Sequence, residues 1–499
     1  MDLTNQLSFL ATLIPEYLII LFLLIIVFMD FSTEKIAEKI PAVAMSGLLL
    51  ALLANLFMTG TLYETEKLLA GGEIFVNDGF AFLFKFMILA SSLIMVYFFV
   101  QDDEVNAYKT RKGEFYILFY SMVLGMMLLA SANDLIAAYI ALEVLSLPSY
   151  IAAGFLKVDK RSSEASLKYL LFGAVASGVM LFGISLLYFS MSSTSFQILV
   201  SNMSHGIGFD PVMILALIFI IGGFGYKISM VPFHFWTPDV FEGAPVSITT
   251  FLSVSSKIAG VAVFVRFIVY SFAGSNLMNQ EIAGLGFNLN SFLVLLSILT
   301  MTVGNLTAIF QNNIKRMLAY SSIGHIGFIV AALAANSEQG LIAISSYLLI
   351  YTLMNFGAFL VVLLIKFRIG SEDIRDYKGL GYKMPFLSVM MVIFLVSLAG
   401  LPPTAGFWAK FYVFTALMEA KLYLLALFAI FNTVIGVFYY FRVMKVMYFE
   451  KSETAEPLPI LTGGNKTVLL VLGLPLLILG IYFTPVVELA RETLKIAGF

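Results

Sequence analysis

Residues 212–238 read VMILALIFIIGGFGYKISMVPFHFWTP. A helix that crosses a bilayer needs about 20 mostly apolar residues. Positions 212–231 meet that requirement, except that Lys227 lies deep inside the run. Pro232 and Pro238 follow at once. Proline has no backbone N–H and cannot continue a helix cleanly. Irregular backbone survives at membrane depth only where protein encloses it or where it lines a polar cavity. A buried cation beside a broken helix is the pattern of a transport element; a kinked helix with no transport role is the plainer alternative.

The rest of the chain fits a membrane setting. Of its 499 residues 60% are hydrophobic and 12% charged, against roughly 45–50% and 25% in soluble domains. So little charge cannot coat a soluble protein of this length, which excludes a soluble multidomain chain. The formal net charge of −2 gives no reason to expect nucleic acid as a partner. Cysteine is absent, which excludes disulfides, iron–sulfur clusters and thiolate zinc sites. With three histidines in all, a His-rich metal site is not expected. No GxGxxG pattern stands between a strand and a helix, so no NAD site is expected either. The opening Met1-Asp2-Leu3-Thr4-Asn5 lacks the positive charge of a signal peptide, and the first apolar run reads as a retained span.

Fourteen runs qualify as spans: 11–29, 41–61, 79–99, 114–132, 134–156, 166–190, 212–231, 246–272, 288–310, 316–335, 340–365, 386–418, 422–448 and 466–487. The chain therefore reads as an all-α polytopic membrane protein, a single transmembrane domain over 1–499. The longest connections fall near 367–385 and 449–465, and the second, with Glu456-Pro457-Leu458-Pro459, reads as a linker. Lysine and arginine alternate sharply between loops. Twenty follow odd-numbered spans, among them Lys35, Arg111, Lys160, Arg316 and Arg375, while only Lys67, Lys421, Arg491 and Lys495 lie on the other side. By the positive-inside rule the first set is cytoplasmic and both termini face outward.

Ionisable groups inside spans each cost about 2.5–3.5 kcal/mol at a helix centre. Glu16, Lys85 and Arg266 lie near span ends and are expected to snorkel to the interface. Glu143 differs: nine residues after Asp134, it stands about 13.5 Å along its helix. Lys227 in span 7, Lys257 in span 8, His325 in span 10 and Lys410 in span 12 are also deep. One carboxylate, three amines and one imidazole on five helices read as a proton relay. Burial disfavours a lysine's charge and a nearby carboxylate restores it, so such an amine can load and release a proton near neutral pH. Static salt bridges are the alternative, but one carboxylate cannot neutralise three lysines; for His325 alone, the alternative is a histidine that closes a hydrogen-bond network. Direct contact among cations is unfavourable, so hydroxyls and water must bridge them, and Ser255, Ser256, Ser321 and Ser322 are placed to help.

Span 12 is interrupted as well, at Ala399-Gly400-Leu401-Pro402-Pro403-Thr404-Ala405-Gly406. Broken helices at matching places in two halves mark inverted-repeat transporters. Spans 7 and 12 are five apart, which suggests two five-helix repeats, 114–272 and 288–448, the second upside down because five is odd.

The stretch Pro232-Phe233-His234-Phe235-Trp236-Thr237-Pro238-Asp239-Val240-Phe241-Glu242-Gly243-Ala244-Pro245 closely resembles the signature of the antiporter-like proton-pumping subunits of respiratory complex I. Asn133-Asp134-Leu135 leading to Leu142-Glu143, the run from Asn312 to His325, and Gly400–Phe407 point the same way. Nearly the whole chain is covered, and the wording looks most like the subunit N branch of bacterial NADH:quinone oxidoreductase, counterpart of mitochondrial NADH dehydrogenase subunit 2. The resemblance implies about fourteen helices, two inverted repeats, and broken helices 7 and 12. It also implies that Glu143 pairs with Lys227, that Lys257 and Lys410 continue the proton path, and that His325 falls in the connecting polar axis. Implied partners are the other membrane-arm subunits, with NAD, FMN, iron–sulfur clusters and quinone held outside this chain. Two other readings share these residues: a subunit of a cation/proton antiporter or membrane-bound hydrogenase of the same fold, and a structural membrane scaffold with inert buried ion pairs.

Overall fold

A computed structural model describes residues 12–65, 70–71, 74–107, 111–199, 211–272, 288–451 and 461–496. The Pro-containing linker at 456–459 lies outside the described residues. Helices dominate: α1 (Ile14–Asp30), α2 (Ile40–Thr65), α3 (Gly79–Gln101), α4 (Lys112–Ser131), α5 (Leu135–Ala153), α6 (Lys160–Met191) and α7a (Pro211–Ile228) open the chain. Then come α7b (Trp236–Gly243), α8a (Val246–Ser253), α8b (Ser255–Phe272), α9 (Leu289–Ile309), α10 (Ile314–Ala334) and α11 (Glu338–Ile369). The last are α12a (Pro385–Ala399), α12b (Ala405–Glu419), α13 (Tyr423–Phe449), α14 (Gly463–Ile481) and α15 (Thr484–Ile496).

Twelve helices among the described residues are long and apolar enough to cross a membrane. The two remaining expected spans are the 17-residue α1 and the broken pair α12a and α12b. Many helices begin on a polar cap: Asp78, Asp134, Asp159, Asn288, Asn313 and Ser337 each accept a backbone N–H of the first turn. These caps satisfy donors that a bilayer could not. The outward faces are apolar too, with Leu171, Val175 and Phe182 of α6 and Phe431, Val434 and Phe438 of α13 exposed. Lipid suits such a surface and water does not. At the centre, α8a, α8b and α10 are almost entirely buried.

The structure departs from the sequence expectations in three places. Glu16, Lys85 and Arg266 do not snorkel; all three are buried. Lys85 pairs with Glu16 at 2.5 Å and donates to Asn77 at 2.5 Å, while Arg266 grips Asp78 through two bonds of 2.7 and 2.9 Å. Each cation found its carboxylate on a neighbouring helix or loop, which removes the reason to seek the interface. Span 8 is broken at Val254, between α8a and α8b. Beyond α14 the chain forms α15, which packs Val486, Ala490 and Leu494 inward, against α3 and α11.

Candidate functional site

Lys227 closes α7a one residue before its end and is buried. The next turn is strained: Ser229 takes φ +63°, a left-handed value that costs a non-glycine residue about 1–3 kcal/mol. Three contacts hold it there. Thr237 donates to the Ser229 hydroxyl at 2.8 Å, the Trp236 indole donates to the Tyr226 carbonyl at 3.1 Å, and the Val231 N–H donates to Thr300 on α9 at 3.1 Å. The Lys227 stem lies on Gly260 of α8b, where an added Cβ would come within 3.3 Å of its Cγ.

The Lys227 ammonium donates to the Ser146 hydroxyl at 3.0 Å. Ser146 follows Glu143 by three residues on α5, so the two share a face one turn apart. Glu143, half-buried, accepts instead from Ser177 of α6. The implied Glu143–Lys227 contact is therefore not a direct ion pair in this state: a serine stands on each member.

The second group gathers on α10. Lys257, three residues past the Val254 break and fully buried, donates to Ser322 at 2.7 Å. His325 stands three residues further along. Its Nδ1 lies 2.6 Å from the Tyr347 hydroxyl of α11, and its Nε2 lies 3.2 Å from that of Tyr440 on α13. Tyr440 is also 2.5 Å from Ser321. Lys410 donates back across the span-12 break to the Ala399 carbonyl at 2.9 Å. It lies 5.0 Å from the centre of the Phe328 ring, one turn beyond His325. Successive turns of α10 thus carry a hydroxyl for Lys257, the imidazole, and an aromatic face for Lys410.

Of the four serines expected to bridge, Ser322 accepts from Lys257 and donates to the Ala319 carbonyl, Ser321 pairs with Tyr440, and Ser255 pairs with Ser91 of α3 at 2.9 Å. Sequence reasoning missed Ser146, Tyr347 and Tyr440. A tyrosine in an apolar run carries no mark of its partner, but Ser146 has a readable signal, one helical turn after a buried carboxylate.

Buried cations fall into two classes. Lys85, Arg266 and Lys315 each hold a carboxylate, from Glu16, Asp78 and Glu372 respectively. Lys227, Lys257 and Lys410 have no carboxylate in ion-pair contact among the described residues; each donates to a neutral oxygen. An uncompensated buried charge is costly, which sets these three lysines apart from the ion-paired cations. No cluster of three or more His, Asp or Glu side chains among the described residues is arranged to hold a metal.

A broken-helix bundle with a lysine–histidine line defines an ion-translocating membrane subunit, and comparison with known proteins agrees. The model for the family described as NADH:quinone oxidoreductase/Mrp antiporter, TM, matches residues 132–436, and the chain belongs to that family. Within it, the chain is similar to NADH-quinone oxidoreductase subunit N 2 of Chloroherpeton thalassium, at 39% identity over 98% of this chain and 95% of the relative. A chain of respiratory complex I from Thermus thermophilus superposes with TM-score 0.78 at 30% identity, covering 96% of this chain and all of that one. The membrane-bound sulfane sulfur reductase, an archaeal respiratory membrane complex, contains a chain of the same fold, TM-score 0.84 at 24% identity, covering 99% and 98%.

Proposed function

We propose that this chain is a proton-translocating membrane-arm subunit of a bacterial NADH:quinone oxidoreductase. Quinone reduction in other subunits supplies the energy, and protons move here through Glu143, Lys227, Lys257, His325 and Lys410. NAD, FMN, iron–sulfur clusters and quinone belong to those partners. The observation that carries the reading is the split among buried cations: the lysines that only stabilise are ion-paired, and the three on the axis are not. A scaffold with inert ion pairs would pair them all.

The reading extends to topology. Spans 4–8 and 9–13 form two inverted repeats, 114–272 and 288–448, with matching breaks in spans 7 and 12 and a further break in span 8 at Val254. The chain sits in the cell membrane with both termini on the outer side, as the cation bias of the loops requires. An antiporter or hydrogenase subunit shares the fold, and the subunit N relatives favour the NADH-linked complex.

The test uses the assembled complex in inverted membrane vesicles. Lys227→Ala and Lys257→Ala should lower proton pumping and coupled quinone reduction together. Lys227→Arg should fail as well, because arginine effectively never deprotonates. Full pumping by Lys227→Arg would sink the carrier role, and co-purification of NADH- and quinone-binding subunits checks the complex itself.

A further inference from the structure

On the cytoplasmic side the ends of α3, α10 and α11 and the α7b–α8a junction enclose a polar cavity of about 690 Å³. Its wall includes Glu104, Ala244, Lys315, Arg316, Lys366 and Glu372. Behind that wall, at the end of α3, lies Asp102, whose carboxylate is almost wholly enclosed, the residue being 1% exposed. It caps the short helix Asp103–Asn106 through Glu104 and Val105 N–H. It also reaches α8a, 145 residues away in sequence, where Ser247 donates its hydroxyl at 2.6 Å and its N–H at 3.3 Å. The residue preceding α8a is Pro245, which offers no side-chain cap of its own.

Inward from this contact, helix 8 carries a polar stripe. Ser247, Thr250 and Ser253 follow at intervals of three, and Lys257 lies four beyond Ser253. Ser247, Thr250 and Ser253 share one side of α8a, and the Val254 break separates them from Lys257 at the start of α8b. All four are buried, and among the described residues no hydrogen-bond partner meets the Ser253 hydroxyl.

We infer that Asp102 is the proton-loading carboxylate of the cytoplasmic entrance, passing protons from the polar cavity along the Ser247–Thr250–Ser253 stripe to Lys257. The inference rests on the proton-translocating reading above. The carboxylate takes a proton from cavity water to become a carboxylic acid. It returns to carboxylate as the proton moves through hydroxyls and water to the neutral Lys257 amine. Burial raises the carboxyl above the ordinary aspartate value, the Ser247 bonds pull it back, Glu104 adds to the rise and Lys366 opposes it. The charged groups around it are Glu104 on its own segment and Lys366 on α11, with Glu372 and Lys315 bound behind Lys366. Protonation also weakens the cap on α8a, so loading and loosening of the half-helix above Lys257 are one event.

Asp102→Asn separates this role from a structural one, because asparagine caps a helix as well as aspartate does but exchanges no proton. In the assembled complex, Asp102→Asn should lower proton pumping and coupled quinone reduction by about tenfold or more, the scale of a lost general acid–base group. Assembly on native gels should stay at the parental level. Parental pumping by assembled Asp102→Asn overturns the proposal. If the amide does not assemble, Asp102→Glu carries the test: a displaced carboxyl should shift the alkaline limb of the rate–pH profile, and an unshifted profile overturns it. Lys257→Ala is run in parallel. Loss with Lys257→Ala and none with Asp102→Asn removes the entrance alone, whereas no loss with either removes the translocating reading itself.

Discussion

Gly400 and Lys410 face each other across the break in span 12. Gly400 ends α12a at φ +81°, and a Cβ built on it would lie 2.7 Å from Cδ of Lys410. The lysine folds back over this bare backbone to donate to the Ala399 carbonyl at 2.9 Å. Lys227 repeats the arrangement in the first half, with its stem on Gly260. In each half a glycine makes the space in which a lysine stem lies beside a helix break.

Gly400→Ala should therefore do two things. A left-handed conformation costs a Cβ-bearing residue about 1–2 kcal/mol, which lowers the unfolding midpoint of the complex in detergent. The methyl also displaces Lys410 from Ala399, so pumping should fall more than assembly does. A variant with reduced stability and unchanged pumping per assembled complex would count against Lys410 as a working group.

The Glu16–Lys85 pair should behave as structure and not as a relay. Removing one partner strands a buried charge, at about 3–5 kcal/mol. Glu16→Gln and Lys85→Met should each reduce the amount of assembled complex, and the double variant should recover much of it. Pumping per assembled complex should stay near parental in all three. A specific pumping defect in the double variant would contradict the structural assignment.

The membrane class, the breaks after Lys227 and at Gly400, and the burial of Lys227, Lys257, His325 and Lys410 were legible because lysine, histidine and proline are conspicuous in apolar runs. Partner identity was not. Glu16, Lys85 and Arg266 sit near span ends, where snorkelling is the local solution, and their carboxylates come from segments distant in sequence. The Val254 break was hidden for another reason: no proline or glycine marks it. A local signal does exist in Ser253, Ser255 and Ser256, since serine hydroxyls compete for helix carbonyls and weaken the ladder. Nothing in the local sequence marks Asp102, because its burial depends on α8a arriving from another part of the chain.

The Glu372 clamp should be acid-labile. Glu372 binds Lys315 at 2.9 Å and Lys366 at 2.8 Å. Burial alone would raise its carboxyl, but the two lysines outweigh burial and bring it from 4.5 down to about 2. A folded-state value below the unfolded one gives stability that is fully present above about 4.5 and is lost as pH falls through about 2. The unfolding midpoint of the complex should drop over that window. Glu372→Gln should start lower at neutral pH and stay flat across it. Parallel acid titrations of the two would disprove the clamp.

On α10 His325 stands between the residues that meet Lys257 and Lys410, and its tyrosines decide whether the histidine works or merely fills a network. Tyr347 and Tyr440 engage the two ring nitrogens separately, at 2.6 and 3.2 Å. A neutral imidazole donates from one nitrogen and accepts at the other, so one hydroxyl donates to the ring and the other accepts from it. Tyr440 further holds Ser321 at 2.5 Å, one residue from the hydroxyl that binds Lys257. Removing the Tyr347 hydroxyl should leave the imidazole free to turn, while removing that of Tyr440 should cut the link toward Lys257. Both Tyr347→Phe and Tyr440→Phe keep the ring volume, so assembly should hold. Pumping should fall by about tenfold in each, within the range for a displaced proton-transfer group. Because the two hydroxyls serve one ring, the double variant should be little worse than either single one, as residues acting as a unit are non-additive. Additive losses in Tyr347→Phe/Tyr440→Phe would mean two independent routes, and parental pumping in both singles would reduce His325 to a packing residue.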